Sequence, residues 1–172
     1  AGIDTYSDMI IGLPGETYAS FADGVSQAID MGQHNRIQFG NLSILPNAEI
    51  ARQVETYGCE LTRTRAVTYH GSIDTTPDAI DEYEWLVTAT SSLPREEWVR
   101  TRVFCWMVAL LYFDKLFQYP LIVLRKTTGL SYRELFELFT EGDLKSYKVF
   151  NGIKEMFEEK ARHIQAGDIE YC

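Results

Sequence analysis

The sequence has few cysteines, no long apolar run and no excess of positive charge, and each shortage excludes a class of protein. Its three cysteines, Cys59, Cys105 and Cys172, are widely scattered, so they provide neither a disulfide framework nor a compact zinc or iron–sulfur spacing. The longest uninterrupted apolar run covers Val103–Phe113, whereas a membrane-spanning helix needs about 20 apolar residues. A net charge of −9 disfavours binding to nucleic acid or to an anionic membrane surface.

Apolar and aromatic residues, in contrast, are abundant. They make up 45% and 13% of the chain, which predicts a packed core rather than disorder. At 172 residues the chain is long enough for one domain, or for part of a domain with an extension. The scattered cysteines and the absence of a visible signal peptide predict a cytoplasmic protein.

The most informative segment reads DMIIGLPGET. Met9–Ile11 form an apolar run typical of a parallel strand that is covered on both faces. Gly12 and Gly15 flank Pro14, so the backbone can bend sharply and approach a ligand closely, and Thr17 can cap a following helix. A strand, a glycine turn and a helix N-terminus present backbone to a nucleotide in many α/β proteins. A plain structural turn is the alternative interpretation.

The remaining pattern predicts α/β structure followed by all-α structure. A strand over 6–12, a helix over 17–31 and a strand over 37–45 form a βαβ unit, which requires a parallel pair. The change from strand-like to helical pattern near Ser72–Pro77 divides the chain into residues 1–75 and 76–172. The further expected elements are a short helix and turn over 47–61, a strand over 63–72, and helices over 76–89, 94–117, 132–139 and 144–166. Ser131 and Glu134 are expected to form a capping box before Leu135–Phe139.

Three stretches of the sequence resemble a known family. DMIIGLPGET and the strand RIQFGNLSILPNAEI (Arg36–Ile50) resemble the second half of the barrel of radical S-adenosylmethionine (SAM) enzymes. In that superfamily a Gly-x-Pro-Gly-Glu-Thr turn packs near the adenosine of SAM, and the next strand often ends in a Leu-x-Pro-Asn segment, for which Leu45-Pro46-Asn47 stands here. Ser92–Leu111 resembles the helical extension of radical SAM proteins that carry a cobalamin-binding domain. The implied fold is the late strands of a partial (β/α) TIM-like barrel followed by a C-terminal helical extension.

The resemblance also implies a function. The chain is expected to be the C-terminal fragment of a radical SAM enzyme of the cobalamin-dependent kind, contributing to the SAM adenosine pocket and to the substrate side of the barrel. The implied cofactors are SAM, a [4Fe-4S] cluster and, in that kind of enzyme, cobalamin. The family holds its cluster with a C-x-x-x-C-x-x-C loop that this sequence lacks. We therefore expect the cluster ligands upstream of Ala1, no metal ligand within the chain, and no activity of the fragment alone. The expected partners are a small-molecule substrate and the upstream domains of the same polypeptide.

A set of site residues follows from the resemblance. Adenosine is expected beside the backbone of the glycine turn, with Ile10 or Ile11 packing on its face, and beside the end of the second strand, largely through backbone. No catalytic residue can be named. The predicted cofactor-binding residues are Ile10, Gly12, Leu13, Pro14, Gly15, Glu16, Asn41, Ser43, Leu45 and Pro46.

A non-catalytic helical interaction module is the rival hypothesis. Under it, the aromatic helices Trp98–Phe117 and Tyr132–Phe139 form a docking surface for a partner protein. The two hypotheses differ over exposed area, because a truncated barrel leaves the inner face of its sheet uncovered whereas a self-contained module covers it.

The other chemistry-bearing residue types predict structural roles. The three histidines, His34, His70 and His163, lie too far apart for a metal-ligand spacing. Cys105 is expected to be an inert buried thiol, and Cys59 lies in a predicted loop with no identifiable base. Trp98, Trp106 and Tyr112 are expected in the core, and a solvated helix face is predicted for Arg95, Glu96, Glu97, Arg100 and Arg102.

Overall fold

A computed structural model of the chain describes residues 5–65 and 82–169. These residues form four strands and five α-helices, with a 3₁₀ turn at Glu49–Arg52 and a π-helical turn at Ala109–Phe113. In chain order the elements are β1 (Tyr6–Ile11), α1 (Tyr18–Asp30), β2 (Arg36–Asn41), β3 (Glu60–Arg65), β4 (Tyr83–Ala89), α2 (Arg95–Val108), α3 (Gln118–Thr128), α4 (Tyr132–Thr140) and α5 (Lys148–Gln165).

The predicted βαβ unit is confirmed. Strands β1 and β2 pair in parallel, with Tyr6 opposite Arg36 at one end and Ile11 opposite Asn41 at the other. The apolar stripe of α1 is buried in the same core as the inward side chains of both strands. A single parallel pair with its connecting helix is the α/β unit that the described residues contain.

Within residues 5–65 and 82–169, only one face of this pair is covered, so the prediction of a strand buried on both faces is wrong for the described chain. Ile11 is 0% exposed, whereas its neighbour Ile10 is 43% exposed. In β2, Ile37 and Phe39 are buried while Gln38 between them is exposed. The strands alternate between a buried and an exposed side because the described helices pack on one side of the pair.

The second pair of strands is antiparallel and joins the first through residues 42–44. Strand β3 pairs with β4, and the backbone N–H of Val87 in β4 donates to the carbonyl of Leu42 at 2.8 Å. Ile44 donates to the carbonyl of Trp85 in turn, also at 2.8 Å. The chain after β2 therefore lies against β4, and this contact places the antiparallel pair beside the end of the βαβ unit.

The prediction of a helix running to Ala89 is wrong, because residues 83–89 form β4. Their aromatic and β-branched side chains favour a pleated strand, and the strand gains partners on both sides. The predicted start of that helix at Thr76 lies outside the described residues, as does the boundary between 1–75 and 76–172. Strand β3 begins at Glu60 rather than at Arg63, and the later part of the predicted 63–72 strand is not described.

The predicted helix over 94–117 ends early. Helix α2 continues through the π-helical turn, and the chain then turns at Lys115, which has a φ of 66°. Helix α3 follows at 99°, and Pro120 lies in its first turn, where a helix does not need the missing N–H. Within the described residues, no single helix is long and apolar enough to cross a membrane; the bent pair Arg95–Phe113 and Gln118–Thr128 meets that test by length and composition only.

The helical part packs around aromatic side chains. Tyr112 makes edge-on contacts with the rings of Phe113, Tyr132 and Phe136. The predicted capping box at Ser131 is present. The expected burial of Trp98, Tyr112 and Cys105 is confirmed, and Trp106 is partly buried.

Arg102 is a correction to the predicted solvated face of α2. Its side chain is only 1% exposed, and its Nη1 donates to the carbonyl oxygen of Phe39 in β2 at 3.0 Å. The guanidinium also lies over the ring of Trp106, 4.6 Å from its centre. The sequence could not show this contact, since β2 is remote from α2 along the chain.

Candidate functional site

The glycine turn lies between the end of β1 and the start of α1. The N–H of Glu16 donates to the carbonyl of Leu13 at 3.1 Å and closes a four-residue turn. Pro14 occupies its second position and Gly15, with a φ of 83°, its third. This is the residue pattern of a type II turn, in which the third position needs a positive φ.

The two glycines of this segment have different surroundings. A β-carbon on Gly12, which has a φ of 94°, would lie 3.4 Å from the Cγ1 atom of Val87 in β4. Gly12 is therefore enclosed by the antiparallel pair of the same chain. A β-carbon on Gly15 would meet nothing within 4 Å. Gly15 thus leaves open space beside the turn, where a ligand can approach the backbone.

The start of α1 is capped as predicted. Thr17 Oγ1 accepts from the N–H of Ser20 at 3.1 Å, and Ser20 Oγ accepts from the N–H of Thr17 at 3.0 Å. The Ser20 hydroxyl also donates to the carboxylate of Glu16. Glu16 therefore has a partner within the helix start, close to the positive end of the α1 dipole, and this local bonding fixes the turn.

Asn41 ends β2 directly opposite Ile11. Its amide nitrogen and amide oxygen are both buried, and neither has a hydrogen-bond partner among the described residues. An unpaired buried polar group costs about 1–3 kcal/mol. A bound molecule or a water with both donor and acceptor groups would remove this cost.

The other predicted site residues divide by exposure. Leu13, Leu45 and Ile10 are 39%, 66% and 43% exposed. Pro46 is exposed as well. Ser43 is partly buried because it forms a bridge with Leu86 of β4. Ile11, the alternative to Ile10 for packing on adenosine, is fully buried, so the structure excludes it. The pairing of β1 with β2 therefore brings the turn and the end of β2 to one edge.

No metal centre is formed by the described residues. No group of three His, Cys, Asp or Glu side chains among them could hold a metal ion. Cys105 is buried in α2, and burial raises the pKa of the Cys59 thiol, so the reactive thiolate is disfavoured there. His34 Nδ1 lies 2.7 Å from the Tyr112 hydroxyl, which agrees with the structural role predicted for it. His70 and Cys172 lie outside the described residues.

The sequence interpretation missed one set of contacts beside the turn. The Tyr18 hydroxyl, at the first position of α1, donates to Glu137 Oε1 of α4 at 2.9 Å. Burial and the neighbouring carboxylate of Glu137 raise the pKa of Tyr18 well above its usual range. The residues are remote along the chain and no local motif links them, so only the tertiary structure reveals the pair.

The chain is similar to known proteins over most of its length. No protein-family model matches the chain. A cobalamin-dependent radical SAM methyltransferase, TokK, of Streptomyces tokunonensis is 33% identical over 137 residues, which is 78% of this chain and 20% of that protein. The 2-(S-pantetheinyl)-carbapenam-3-carboxylate methyltransferase of Streptantibioticus cattleyicolor is 30% identical over 138 residues, again 78% of this chain and 20% of the relative. The resemblance predicted from the sequence is thus confirmed, and the chain spans about a fifth of the length of these relatives.

Proposed function

We propose that this chain forms the SAM adenosine side of a longer, cobalamin-dependent methyltransferase. The proposal starts from the homology of the chain to part of a radical SAM methyltransferase. The observation that carries the proposal is the turn itself. Leu13–Glu16 presents backbone at the edge where β1 and β2 end, and the Cβ position of Gly15 faces open space. The unpaired amide of Asn41 lies at the same edge.

These features suit the adenosine of SAM. A purine needs a flat space against backbone and groups that both donate and accept hydrogen bonds. Gly15 leaves that space, and the amide of Asn41 has one donor and one acceptor side without partners. Ile10 is exposed on the uncovered face of β1, opposite to the face that Ile11 and its register partner Asn41 share, and provides an apolar surface next to the turn. In this proposal the chain binds and orients SAM, which when bound supplies the methyl group or the 5′-deoxyadenosyl radical.

The uncovered face of the β1–β2 pair supports the barrel part of the proposal. In a (β/α) barrel, helices cover the outer face of each strand, and the inner face points to the barrel interior. Helices α1 and α2 cover one face here, whereas Tyr6, Ile10 and Gln38 are exposed on the other. We assign the uncovered face to the interior of the barrel, towards the substrate.

The described residues do not form a site for the iron–sulfur cluster. The described part of the chain contains no group of metal ligands, so in this proposal the cluster is held by another part of the polypeptide. Anaerobic reconstitution of these 172 residues alone is expected to give no iron–sulfur absorption band. The appearance of such a band would contradict the proposal that another part of the polypeptide holds the cluster.

The rival docking function gains no support from the aromatic helices. Three aromatic residues of those helices, Trp98, Tyr112 and Phe136, are each 0% exposed. Their rings hold the helical part together instead. The open sheet face is the feature expected of an incomplete barrel.

The test compares two glycine substitutions in the full-length natural polypeptide that carries this sequence. Gly15→Val places a branched side chain in the proposed adenosine space, and we expect SAM affinity to fall at least about tenfold, which equals about 1.4 kcal/mol. Gly129→Val is the matched control, because Gly129 has a similar φ of 77° and also has nothing within 4 Å of its Cβ position. Both variants place a branched residue at a similar positive φ and so carry comparable backbone strain.

The readouts are SAM affinity at equilibrium and the thermal midpoint. The proposal expects similar losses of thermal midpoint in the two variants and a loss of SAM affinity in Gly15→Val only. If Gly15→Val loses stability and keeps normal SAM affinity, the turn is purely structural and the proposed function is wrong.

A further inference from the structure

The first residue of α1 is anchored by a residue of the helical extension. The Tyr18 side chain is 2% exposed, and its hydroxyl donates to Glu137 Oε1 of α4 at 2.9 Å. The Nε atom of Arg133, one turn earlier in α4, donates to the same oxygen at 2.8 Å. One carboxylate oxygen thus holds both side chains, and charge-assisted bonds of this kind are among the stronger ones in proteins.

Arg133 and Arg100 make further contacts with α1. Arg133 Nη1 donates to Asp23 Oδ1 at 3.0 Å, and the backbone N–H of Arg133 donates to Ser26 Oγ at 3.2 Å. From α2, the guanidinium of Arg100 lies 3.7 Å from the centre of the Tyr18 ring. Helices α2 and α4 therefore fix the position of the α1 N-terminus.

This anchor acts next to the glycine turn. Tyr18 directly follows Thr17, whose N–H and hydroxyl bond to Ser20 at the helix start, and the N–H of Glu16 closes the turn. A shift of the first turn of α1 therefore shifts the backbone of Gly15 with it. Functional backbone of this kind is held by the packing and hydrogen bonds of the residues behind it.

We infer that Glu137 is a positioning residue: with Arg133 and Tyr18 it ties the helical extension to the start of α1 and so sets the place of the Leu13–Glu16 turn. The consequence for ligand binding rests on the proposed function, since it assumes that SAM binds beside this turn. The extension then supports the cofactor-binding edge without contacting the cofactor.

The test uses Glu137→Leu in the full-length natural polypeptide. Glu137→Gln is the conservative variant, because it keeps an oxygen that accepts from Tyr18. Glu96→Leu is the control: Glu96 makes a two-pronged ion pair with Arg162, at 2.8 and 3.0 Å, that joins α2 to α5 instead. The first measurement is amide hydrogen exchange at Glu16 and Thr17, under conditions in which every variant is folded by its thermal midpoint.

Glu137→Leu is expected to speed exchange at these two amides roughly three- to tenfold, the range that corresponds to loss of a typical hydrogen bond. Glu137→Gln should restore most of the protection, and Glu96→Leu should leave both amides unchanged. Equal exchange at the turn in Glu137→Leu and in the unmodified protein would overturn the inference. An equal rise in Glu96→Leu would overturn it as well, because the effect would then be general loosening.

SAM affinity separates this inference from the proposed function. If Gly15→Val weakens SAM binding and Glu137→Leu does not, the turn binds SAM and Glu137 does not position it for binding, which overturns the inference alone. A second outcome is that exchange at the turn rises in Glu137→Leu while SAM affinity is unchanged in both Gly15→Val and Glu137→Leu. Glu137 then positions the turn, and the proposed function is wrong. Weaker SAM binding in both variants, with partial recovery in Glu137→Gln, supports both.

Discussion

The two faces of the β1–β2 pair differ in how far they are buried. On one face, Ile11, Ile37 and Phe39 are buried under helices of the same chain. On the other face, Tyr6 and Ile10 are 70% and 43% exposed. Two adjacent isoleucines, Ile10 and Ile11, therefore lie in opposite environments, separated only by the alternation of a β-strand.

The covered face stabilises the fold, whereas the uncovered face is left available for contacts with other groups. The covered face supplies the hydrophobic burial that stabilises the βαβ unit. The uncovered face contributes little to that burial, although it adjoins the turn and the end of β2. Apolar side chains exposed on such a face are typical of a site that another part of a protein or a ligand covers.

The largest expected contrast is between the two isoleucines. Ile11→Ala should lower the free energy of unfolding by about 2–5 kcal/mol, because it removes buried atoms and leaves a cavity. Ile10→Ala should lower it by less than about 1 kcal/mol, since its side chain is already partly in water. Chemical denaturation of both variants measures the difference. Equal losses would show that β1 has no distinct covered face.

Gly12 and Gly15, on either side of Pro14, give a smaller contrast between an enclosed and an open position. Gly12→Val should destabilise the chain more than Gly15→Val, by about 1–3 kcal/mol, because its side chain would be forced against Val87 in addition to the strain of a positive φ. Gly15→Val carries the strain without the clash. The thermal midpoints of the two variants provide the measurement. A larger loss in Gly15→Val would mean that Gly15, and not Gly12, is the enclosed residue.

The smallest expected effect is the change in the free energy of unfolding at alkaline pH that the buried Tyr18 causes. Burial and Glu137 raise the pKa of Tyr18 in the folded chain above its usual value of 10.0. Above about pH 10 the unfolded chain therefore loses this proton while the folded chain keeps it, so the free energy of unfolding falls as pH rises. Tyr18→Phe should have a shallower alkaline loss of stability. Tyr112, whose pKa is raised by burial and by Tyr132, should behave alike in Tyr112→Phe.

The match between sequence and structure is best where the signal is local. Thr17 and Ser131 cap their helices as predicted, because capping depends on residues three positions apart. The parallel pair follows from two apolar runs joined by one amphipathic helix. Pro14 and Gly15 form the turn that their residue types favour.

The mismatches lie where distant parts of the chain meet. Residues 83–89 were expected to be helical and form β4, since their partners in β3 and at 42–44 decide the outcome. Arg102 was expected in water and is bound to the backbone of β2. In the candidate site, the turn was predictable, whereas the enclosure of Gly12 by Val87 and the anchor of Tyr18 by Glu137 were not. Each of these depends on tertiary packing that no local pattern records.

The central claim is that SAM binds at the edge formed by the turn and the end of β2. Its most direct test is hydrogen exchange of the full-length natural polypeptide with and without saturating SAM. The account predicts slower exchange in residues 12–17 and 41–46, and no change on the buried stripe of α1 that faces the core. Protection elsewhere in the polypeptide, with unchanged exchange in both of these segments, would contradict it.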